Sequence, residues 1–254
     1  MSRVIGFFTG ISFLFFSATL VAATNAGKFI VVVGGVEVVG VDGTVRQAER
    51  GGVLNAGESV RTSSDGFAQL RLRDRGRLAV RADSEFKLEG FQWKGPKDRK
   101  GQVFLSLVRG ALRSITGAVG KTNREGYKMS TPHATIGIRG TDHETWVFKK
   151  AQGGLKPGTL DVVYSGGTRV QTQAGTVDVS PRQAGYVNAA NPQPRIVKIP
   201  KFATAPPRPV KKTPPPASEQ SETSSREGGE KEREGGEKER EGRGNEREGG
   251  EKER

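Results

Sequence analysis

The 254-residue chain contains no cysteine and only two histidines, His133 and His143. The absence of thiols excludes disulfide cross-links, thiolate zinc sites and cysteine nucleophiles. Two imidazoles cannot build a multi-histidine metal centre. Large apolar side chains are also scarce, since hydrophobic residues make up 33% of the chain and aromatic residues 7%. Any folded domain must therefore be held together by a modest core without covalent cross-links.

Glycine and charge are abundant instead, with 36 glycines and 41 Lys and Arg against 28 Asp and Glu. Because glycine costs about 1 kcal/mol relative to alanine inside a helix, this composition favours short strands and turns. The charge is uneven: residues 27–194 hold 25 basic and 15 acidic side chains, whereas residues 226–254 hold 9 and 11. The basic character therefore belongs to the region before the C-terminal tail.

Residues 1–26 are predicted to be a secretory signal peptide. Arg3 supplies a positive charge, Val4 to Phe16 is an apolar run, and small residues follow it. Acceptable cleavage ends occur at Ala23 and at Ala26. An uncleaved anchor is the alternative, since about 20 apolar residues can cross a bilayer. We therefore expect the rest of the chain to be exported.

Residues 27–200 alternate between apolar and polar side chains, with glycine and aspartate at the turns. Residues 68–72 alternate clearly, a turn is predicted at 74–76, and the alternation resumes at 78–82 and 86–88. Further strands are predicted at 29–33, 36–41, 58–62, 103–108, 111–115, 127–130, 134–138, 144–148, 159–164, 168–173, 176–179 and 185–187. Many short, evenly spaced strands indicate an all-β domain.

The C-terminal region has a different composition. Residues 201–225 are proline-rich and are predicted to be a linker, and residues 226–254 repeat the heptapeptide REGGEKE with one degenerate copy. No position of the repeat is apolar, so a coiled coil has no seam to bury. We expect a disordered tail of charged repeats.

The stretch TPHATIGIRGTDHETWVF, from Thr131 to Phe148, resembles the signature of the FecR-like domain of bacterial envelope proteins. Three earlier patterns agree in family order: L-x-x-G-E-x-V-x-T at 54–62, G-x-A-x-L-x-L at 66–72 and L-x-x-G-x-L-R at 107–113. The resemblance covers residues 55–148. It implies short β-strands in a β-helix or solenoid-like arrangement, with a sandwich as the alternative, and a location in the periplasm.

The best-known FecR-like proteins pass a signal from an outer-membrane transporter to a sigma factor. Only three residues precede the apolar run of this chain, so we expect no cytoplasmic segment that could hold a sigma factor. The resemblance therefore implies a stand-alone exported module for binding, sensing or scaffolding. We expect its partner to be another protein of the envelope.

Seven residues of the signature are predicted to have structural roles: Thr131, Pro132, Gly137, Arg139, Gly140, Thr141 and Asp142. The residue before a proline favours extended backbone, and the two glycines allow positive φ or close packing. Arg139 is expected to be partly buried and to donate to carbonyls or to Asp142. Contact with an anionic ligand is the alternative role for Arg139.

No catalytic or metal site is predicted. Within Asp142-His143-Glu144, neighbouring residues of a strand point to opposite faces, which leaves at most a weak two-carboxylate site. The chain has no G-x-S-x-G elbow. Its glycine runs lack the lysine and the following helix of a phosphate loop. We therefore expect a non-enzymatic protein with no cofactor.

Two basic segments remain as candidate binding surfaces. The first is the outward face of the hairpin around residues 68–82, and the second lies in FQWKGPKDRKG beside Phe91 and Trp93. Their residues are Arg71, Arg73, Arg75, Arg77, Arg81, Lys94, Lys97, Arg99 and Lys100. Nucleic acid is not expected as a partner of an exported protein, whereas anionic lipids and wall polymers are available there. A structural envelope protein that binds such surfaces is the second hypothesis, and a merely solvated strand face is the alternative for these residues.

Overall fold

A computed structural model describes residues 24–204, which form seventeen β-strands, one α-helix (α1, Ala118–Thr122) and a 3₁₀ turn at Lys201–Ala203. The predictions for residues 1–23 of the signal peptide, for 205–225 of the linker and for the repeats at 226–254 lie outside these residues. Within residues 24–204, no helix has the length and hydrophobicity needed to cross a membrane. The all-β fold class is confirmed.

The strands form two facing sets, which we call sheet 1 and sheet 2. Sheet 1 is antiparallel and contains, in spatial order, β4 (Val53–Asn55), β1 (Asn25–Val33), β6 (Phe67–Leu72), β7 (Arg77–Val80), the second part of β9 (Gln102–Ile115), β12 (Asp142–Phe148), β13 (Gly158–Ser165), β16 (Ala184–Asn188) and β17 (Asn191–Val197).

Sheet 2 contains, in spatial order, β3 (Val45–Gln47), β2 (Val36–Val39), β5 (Ser59–Thr62), β8 (Glu85–Gln92), the first part of β9, β10 (Tyr127–Ser130), β11 (Thr135–Ile138), β14 (Thr168–Thr172) and β15 (Gly175–Val179). The β9–β10 pair is parallel, and the other pairs are antiparallel. The chain moves back and forth between the sheets, and both sheets grow in nearly the order of the sequence. The result is a sandwich with a solenoid-like progression.

Strand β9 belongs to both sheets, because it bends at Gly110. Residues 102–109 pair in sheet 2, and residues 110–115 pair in sheet 1. Gly110 has a φ of +81°, and a Cβ there would lie 2.2 Å from Oγ of Ser84. Only glycine fits this corner. The sequence predicted two separate strands at 103–108 and 111–115, whereas the structure has one strand turned through a corner.

The core lies between the two sheets and follows the predicted alternation. In β6, Ala68, Leu70 and Leu72 are buried, while Arg71 is exposed and Gln69 is half-buried. The predicted turn at 74–76 joins β6 to β7 as expected. Each fully buried leucine contributes roughly 1.5–3 kcal/mol by removal from water. This core also starts earlier than predicted, because Ala26 of β1 is completely buried.

A second apolar cluster lies on the outer face of sheet 1. Leu160, Val162 and Tyr186 point outward from β13 and β16 and are buried there, because the C-terminal segment packs across them. The ring of Phe202 contacts Trp146 edge-on at a centroid distance of 5.2 Å. The domain therefore continues to the last described residues, past the predicted linker boundary at 201. Around β12, β13 and β16, sheet 1 is therefore covered on both faces.

Candidate functional site

The residues of the Asp142-His143-Glu144 stretch separate onto the two faces of β12. His143 points into the core, where its Nδ1 lies 2.7 Å from Oδ1 of Asp161. The hydroxyls of Thr145 and Thr168 donate to the same carboxylate at 2.7 and 2.6 Å. These four side chains have at most 1% of their surface exposed. They form a structural polar network that solvent does not reach.

Ser114 of β9 is the cross-strand neighbour of His143, so a serine, a histidine and an aspartate occur close together in the core. The Ser114 hydroxyl lies 2.7 Å from that of Tyr127, which is itself completely buried. Burial raises the pKa of the Tyr127 phenol. A nucleophile and base must reach a substrate, and the exposed fractions of these groups are zero. This constellation therefore contributes to packing of the core.

Arginines bind the two carboxylates on the outer face of β12. Arg113 of β9 donates two hydrogen bonds to Asp142, at 2.8 and 2.7 Å, and its guanidinium lies 4.6 Å from the ring centre of Tyr164. Arg81 makes a two-point ion pair with Glu144, which also accepts from the Tyr164 hydroxyl. Within residues 24–204, no group of three or more acidic or imidazole side chains is placed to hold a metal ion.

The expected burial of Arg139 and its pairing with Asp142 are wrong. Arg139 is exposed, and among the described residues its side chain has no ion pair. The reason is geometric: Asp142 pairs across the sheet with Ile115, which brings the adjacent Arg113 within reach of its carboxylate. Arg139 lies in the crossing from sheet 2 to sheet 1, outside the ladder of either sheet. The exposed position of Arg139 permits the alternative role, contact with an anionic ligand.

The two signature glycines on either side of Arg139 differ in backbone conformation. Gly140 has a φ of +67°, so the prediction of positive φ is confirmed there. Gly137 lies within strand β11 without positive φ, and a Cβ added to it would have no neighbour closer than 3.9 Å. Gly137 therefore leaves a gap on the outer face of sheet 2.

The other signature residues shape turns. Thr131 and Pro132 lie in the loop that joins β10 to β11, where the Thr131 hydroxyl accepts from the amides of His133 and Ala134 at 3.3 and 3.0 Å. The buried Thr141 donates from its hydroxyl to the Gly167 carbonyl at 2.6 Å. These hydrogen bonds hold the β10–β11 loop and the crossing that follows β11 in place.

Four arginines of the predicted basic hairpin are exposed, and the fifth is paired with a carboxylate inside the domain. The exposed ones are Arg71, Arg73, Arg75 and Arg77 on β6, β7 and their turn. Arg75 has a φ of +69°, a left-handed conformation in which a bulky side chain is uncommon. Arg81 must be removed from the predicted surface, because its side chain is only 18% exposed and pairs with Glu144.

The second basic segment is the loop between β8 and β9, with Lys94, Lys97, Arg99 and Lys100 all exposed. Asp98 organises this loop by accepting from the backbone amides of Lys94 and Lys100 at 2.8 and 2.9 Å. These hydrogen bonds, the Lys94 amide first, lower the pKa of Asp98. The neighbouring Phe91 is buried in the core and Trp93 packs against it, so neither ring is a free stacking platform.

Helix α1 brings the two basic segments to one end of the sandwich. At its start, the amides of Ala118 and Val119 donate to the carbonyl and the carboxylate of Asp74, in the β6–β7 turn. At its end, Asn123 donates to the Gly101 carbonyl, in the β8–β9 loop. The crossing that contains Arg139 reaches the same end, since Thr141 and Thr116 exchange hydrogen bonds.

We call this surface the basic end. Its exposed cations come from the turn, the loop, the helix region and the crossing, and they are Arg73, Arg75, Lys94, Lys97, Arg99, Lys100, Lys121, Arg124 and Arg139. The carboxylate of Asp74 is buried and binds backbone amides, so it neutralises little of this surface charge. Sequence reasoning missed Lys121 and Arg124, because isolated cations carry no local pattern that would join them to a distant segment.

The middle of the chain matches a known family. Residues 58–178 match the family model described as FecR protein, which extends beyond the predicted region 55–148 on the C-terminal side. No curated protein matches the chain.

Two proteins of known structure are among those similar to this chain. One is a candidate anti-sigma factor from Parabacteroides distasonis ATCC 8503, known from crystal structures at 1.65 and 2.50 Å resolution. It shares 12% sequence identity with this chain, the match covers 55% of this chain and 59% of that chain, and the TM-score is 0.43. This chain therefore spans less than two thirds of that protein. The other is a cell surface anchoring domain, with 24% identity over 24% of this chain and 82% of that chain and a TM-score of 0.24.

Proposed function

The chain carries a FecR domain at residues 58–178, and from this premise we propose that it is an exported, non-enzymatic binding module of the bacterial envelope. It acts in the periplasm after removal of a signal peptide, as a sensory or scaffolding protein. The observation that carries the proposal is the basic end, where segments far apart in the sequence place nine exposed cations around α1. Its preferred partner is an envelope protein with an acidic surface.

A role in binding rather than catalysis is supported by where the reactive side chains lie. His143 and Asp161 are completely buried, and so is Ser114. Asp142 and Glu144 are each held by an arginine. The basic end exposes arginine and lysine side chains instead, and these bind anionic groups by charge and hydrogen bonds.

In-cell cross-linking followed by purification tests the proposal. We expect one acidic envelope protein to be recovered with the full chain from the periplasmic fraction. Recovery of the chain from the cytoplasm with its N-terminal residues intact would contradict export. If the chain is recovered without any cross-linked protein, and its recovery does not depend on salt concentration, the binding role is contradicted.

The convergence of the basic segments also favours a second function, the association of a structural envelope protein with anionic lipid or wall polymers. Anionic membranes attract basic residues at about 1 kcal/mol for each Lys or Arg near the surface. Co-sedimentation with phosphatidylglycerol vesicles should then be strong at low salt and lost at high salt, because exposed charges are screened over roughly 10 Å at 0.1 M salt. Equal sedimentation with phosphatidylcholine vesicles would contradict this second function.

A further inference from the structure

A groove on the outer face of sheet 2 begins at Arg139 and runs over Gly137. Its volume is about 480 Å³, within the range of small-molecule sites. Gly137 forms its floor: the residue pairs across the sheet with Lys128 on one side and Arg169 on the other. Because Gly137 has no side chain, the two flanking cations face each other across an open space.

Polar groups line the groove along its length. Thr135 and Gln171 are cross-strand partners in the next row and offer a hydroxyl and an amide. Arg124 and Arg139 stand at the other end, where they also border a smaller cavity. The carboxylate of Glu125 also lines the groove, next to Arg124 and Lys128. The groove thus combines a cationic end, which contains this one carboxylate, with neutral donors and acceptors.

The charges in and beside the groove do not cancel. Arg169 is held by Asp178 in a two-point ion pair at 2.7 and 3.0 Å, and Lys128 lies 3.9 Å from Glu125. Within residues 24–204, Arg124 and Arg139 have no carboxylate partner. The pKa of Asp178 is lowered, first by the hydrogen bond from Arg169 and also by the charge of Arg139, so the field of Arg139 reaches into this region.

We propose that this groove binds a phosphorylated sugar. The guanidiniums of Arg124 and Arg139, which have no carboxylate partner among the described residues, match a phosphate monoester, which carries about −1.5 to −2 charges at pH 7. Thr135 and Gln171 can exchange hydrogen bonds with sugar hydroxyls. The phosphate contacts Arg124 and Arg139, and the sugar ring lies over Gly137. The same chemistry is offered by a free sugar phosphate and by the headgroup of a phosphorylated glycolipid.

Gly137 provides a steric test that leaves the fold intact. An added Cβ meets only ordinary contacts, at 3.9 Å from Arg169, and φ is not positive. Valine is favoured in strands, so Gly137→Val should fold normally while its side chain fills the floor of the groove. Arg139→Gln removes one phosphate contact. Arg99→Gln is the matched control, because it removes the same charge from the basic end outside the groove.

The experiment is calorimetric titration of the full chain with glucose 6-phosphate, with glucose and inorganic phosphate as reference probes. We expect glucose 6-phosphate to bind saturably and with higher affinity than glucose or inorganic phosphate. Gly137→Val and Arg139→Gln should each weaken this affinity at least about tenfold, and Arg99→Gln should leave it unchanged. Absence of glucose 6-phosphate binding, equal weakening by Arg99→Gln, or unchanged binding by Gly137→Val would overturn the proposal.

Vesicles distinguish the two sources of the ligand. Glucose 6-phosphate should bind the wild-type chain in both cases. If the source is a glycolipid, phosphatidylcholine vesicles doped with monophosphoryl lipid A should also bind the wild-type chain, and Gly137→Val should weaken that binding. If the source is soluble, these vesicles should not bind. Gly137→Val should leave salt-dependent binding to phosphatidylglycerol vesicles intact, so failure of the groove and failure of the basic end give different results.

Discussion

Arg113 donates two hydrogen bonds to Asp142, at 2.8 and 2.7 Å, across the outer face of sheet 1. The two side chains are 22% and 20% exposed, so the pair is largely shielded from water. Asp142, the signature carboxylate, is therefore occupied within the domain. The neighbouring signature arginine, Arg139, remains available at the surface.

Replacement of Arg113 should destabilise the domain, whereas replacement of Arg139 should change its stability little. Arg113→Ala leaves the Asp142 carboxylate half-buried without its partner, and we expect a loss of about 2 kcal/mol. In a domain of this size that lowers the melting temperature by about 5 °C. Arg139→Ala should change the free energy of unfolding by less than about 0.5 kcal/mol. Thermal unfolding of both variants checks this, and a larger loss for Arg139→Ala would show that Asp142 has been assigned the wrong partner.

The corner in β9 predicts a second matched pair. Gly110→Ala forces positive φ on alanine and places its Cβ against Ser84, so it should cost about 2 kcal/mol or more. Gly137→Ala meets no close atom and needs no positive φ, so its cost should be small. Urea unfolding measures both values. Equal costs at the two positions would contradict the bend of β9 between the sheets.

Asp74 should make the stability of the domain depend on pH. Burial raises the pKa of its carboxyl above the ordinary 3.8. The folded state therefore binds a proton more tightly than the unfolded state, and this contribution to stability is lost as pH rises through the folded pKa. Asp74→Asn removes the titration. The free energy of unfolding of the wild type, relative to Asp74→Asn, should increase as pH falls from 7 toward 4; a decrease would contradict the raised pKa.

The position of β1 predicts where an exported chain is cleaved. The Thr24 carbonyl accepts from the Ala56 amide at 2.9 Å, the Asn25 carbonyl accepts from Arg73, and Ala26 is in the core. Cleavage after Ala26 would remove these contacts, whereas cleavage after Ala23 preserves them. Mass spectrometry of the exported protein should therefore find Thr24 at the N-terminus. A mature chain that starts at Gly27 and is equally stable would contradict the assigned role of these residues.

Much of the fold could be predicted from alternation alone, because side chains buried on one face of a strand recur at every second position. The strands that were missed lack that signal. β3 (Val45–Gln47) and β4 (Val53–Asn55) have three residues each, and β17 contains Pro192 and Pro194, which are tolerated because β17 lies at the edge of sheet 1. Helix α1 has five residues, too few to show a helical period.

The site was harder to predict because its contacts are not local. The turn at Asp74 and the loop around Asp98 become neighbours only through α1, which the sequence did not predict. Arg81 follows the alternation of the other hairpin arginines, yet it pairs with Glu144, 63 residues away. Residue type and spacing identified the basic segments, but their convergence depends on how the strands pass between the two sheets.

The most direct test of the basic end as the binding surface is site-specific photo-cross-linking in cells. A photoreactive residue at Lys97 reports on the basic end, and one at Lys150, also exposed, reports on the opposite end beyond β12. We expect position 97 to give a discrete cross-linked product with an envelope protein or an anionic polymer. Position 150 should give no product of comparable yield. The triple variant Arg75→Gly, Arg99→Gln and Lys100→Gln should reduce the product at position 97. Equal products from both positions, or a Lys97 product that survives the triple variant, would contradict the proposed binding surface.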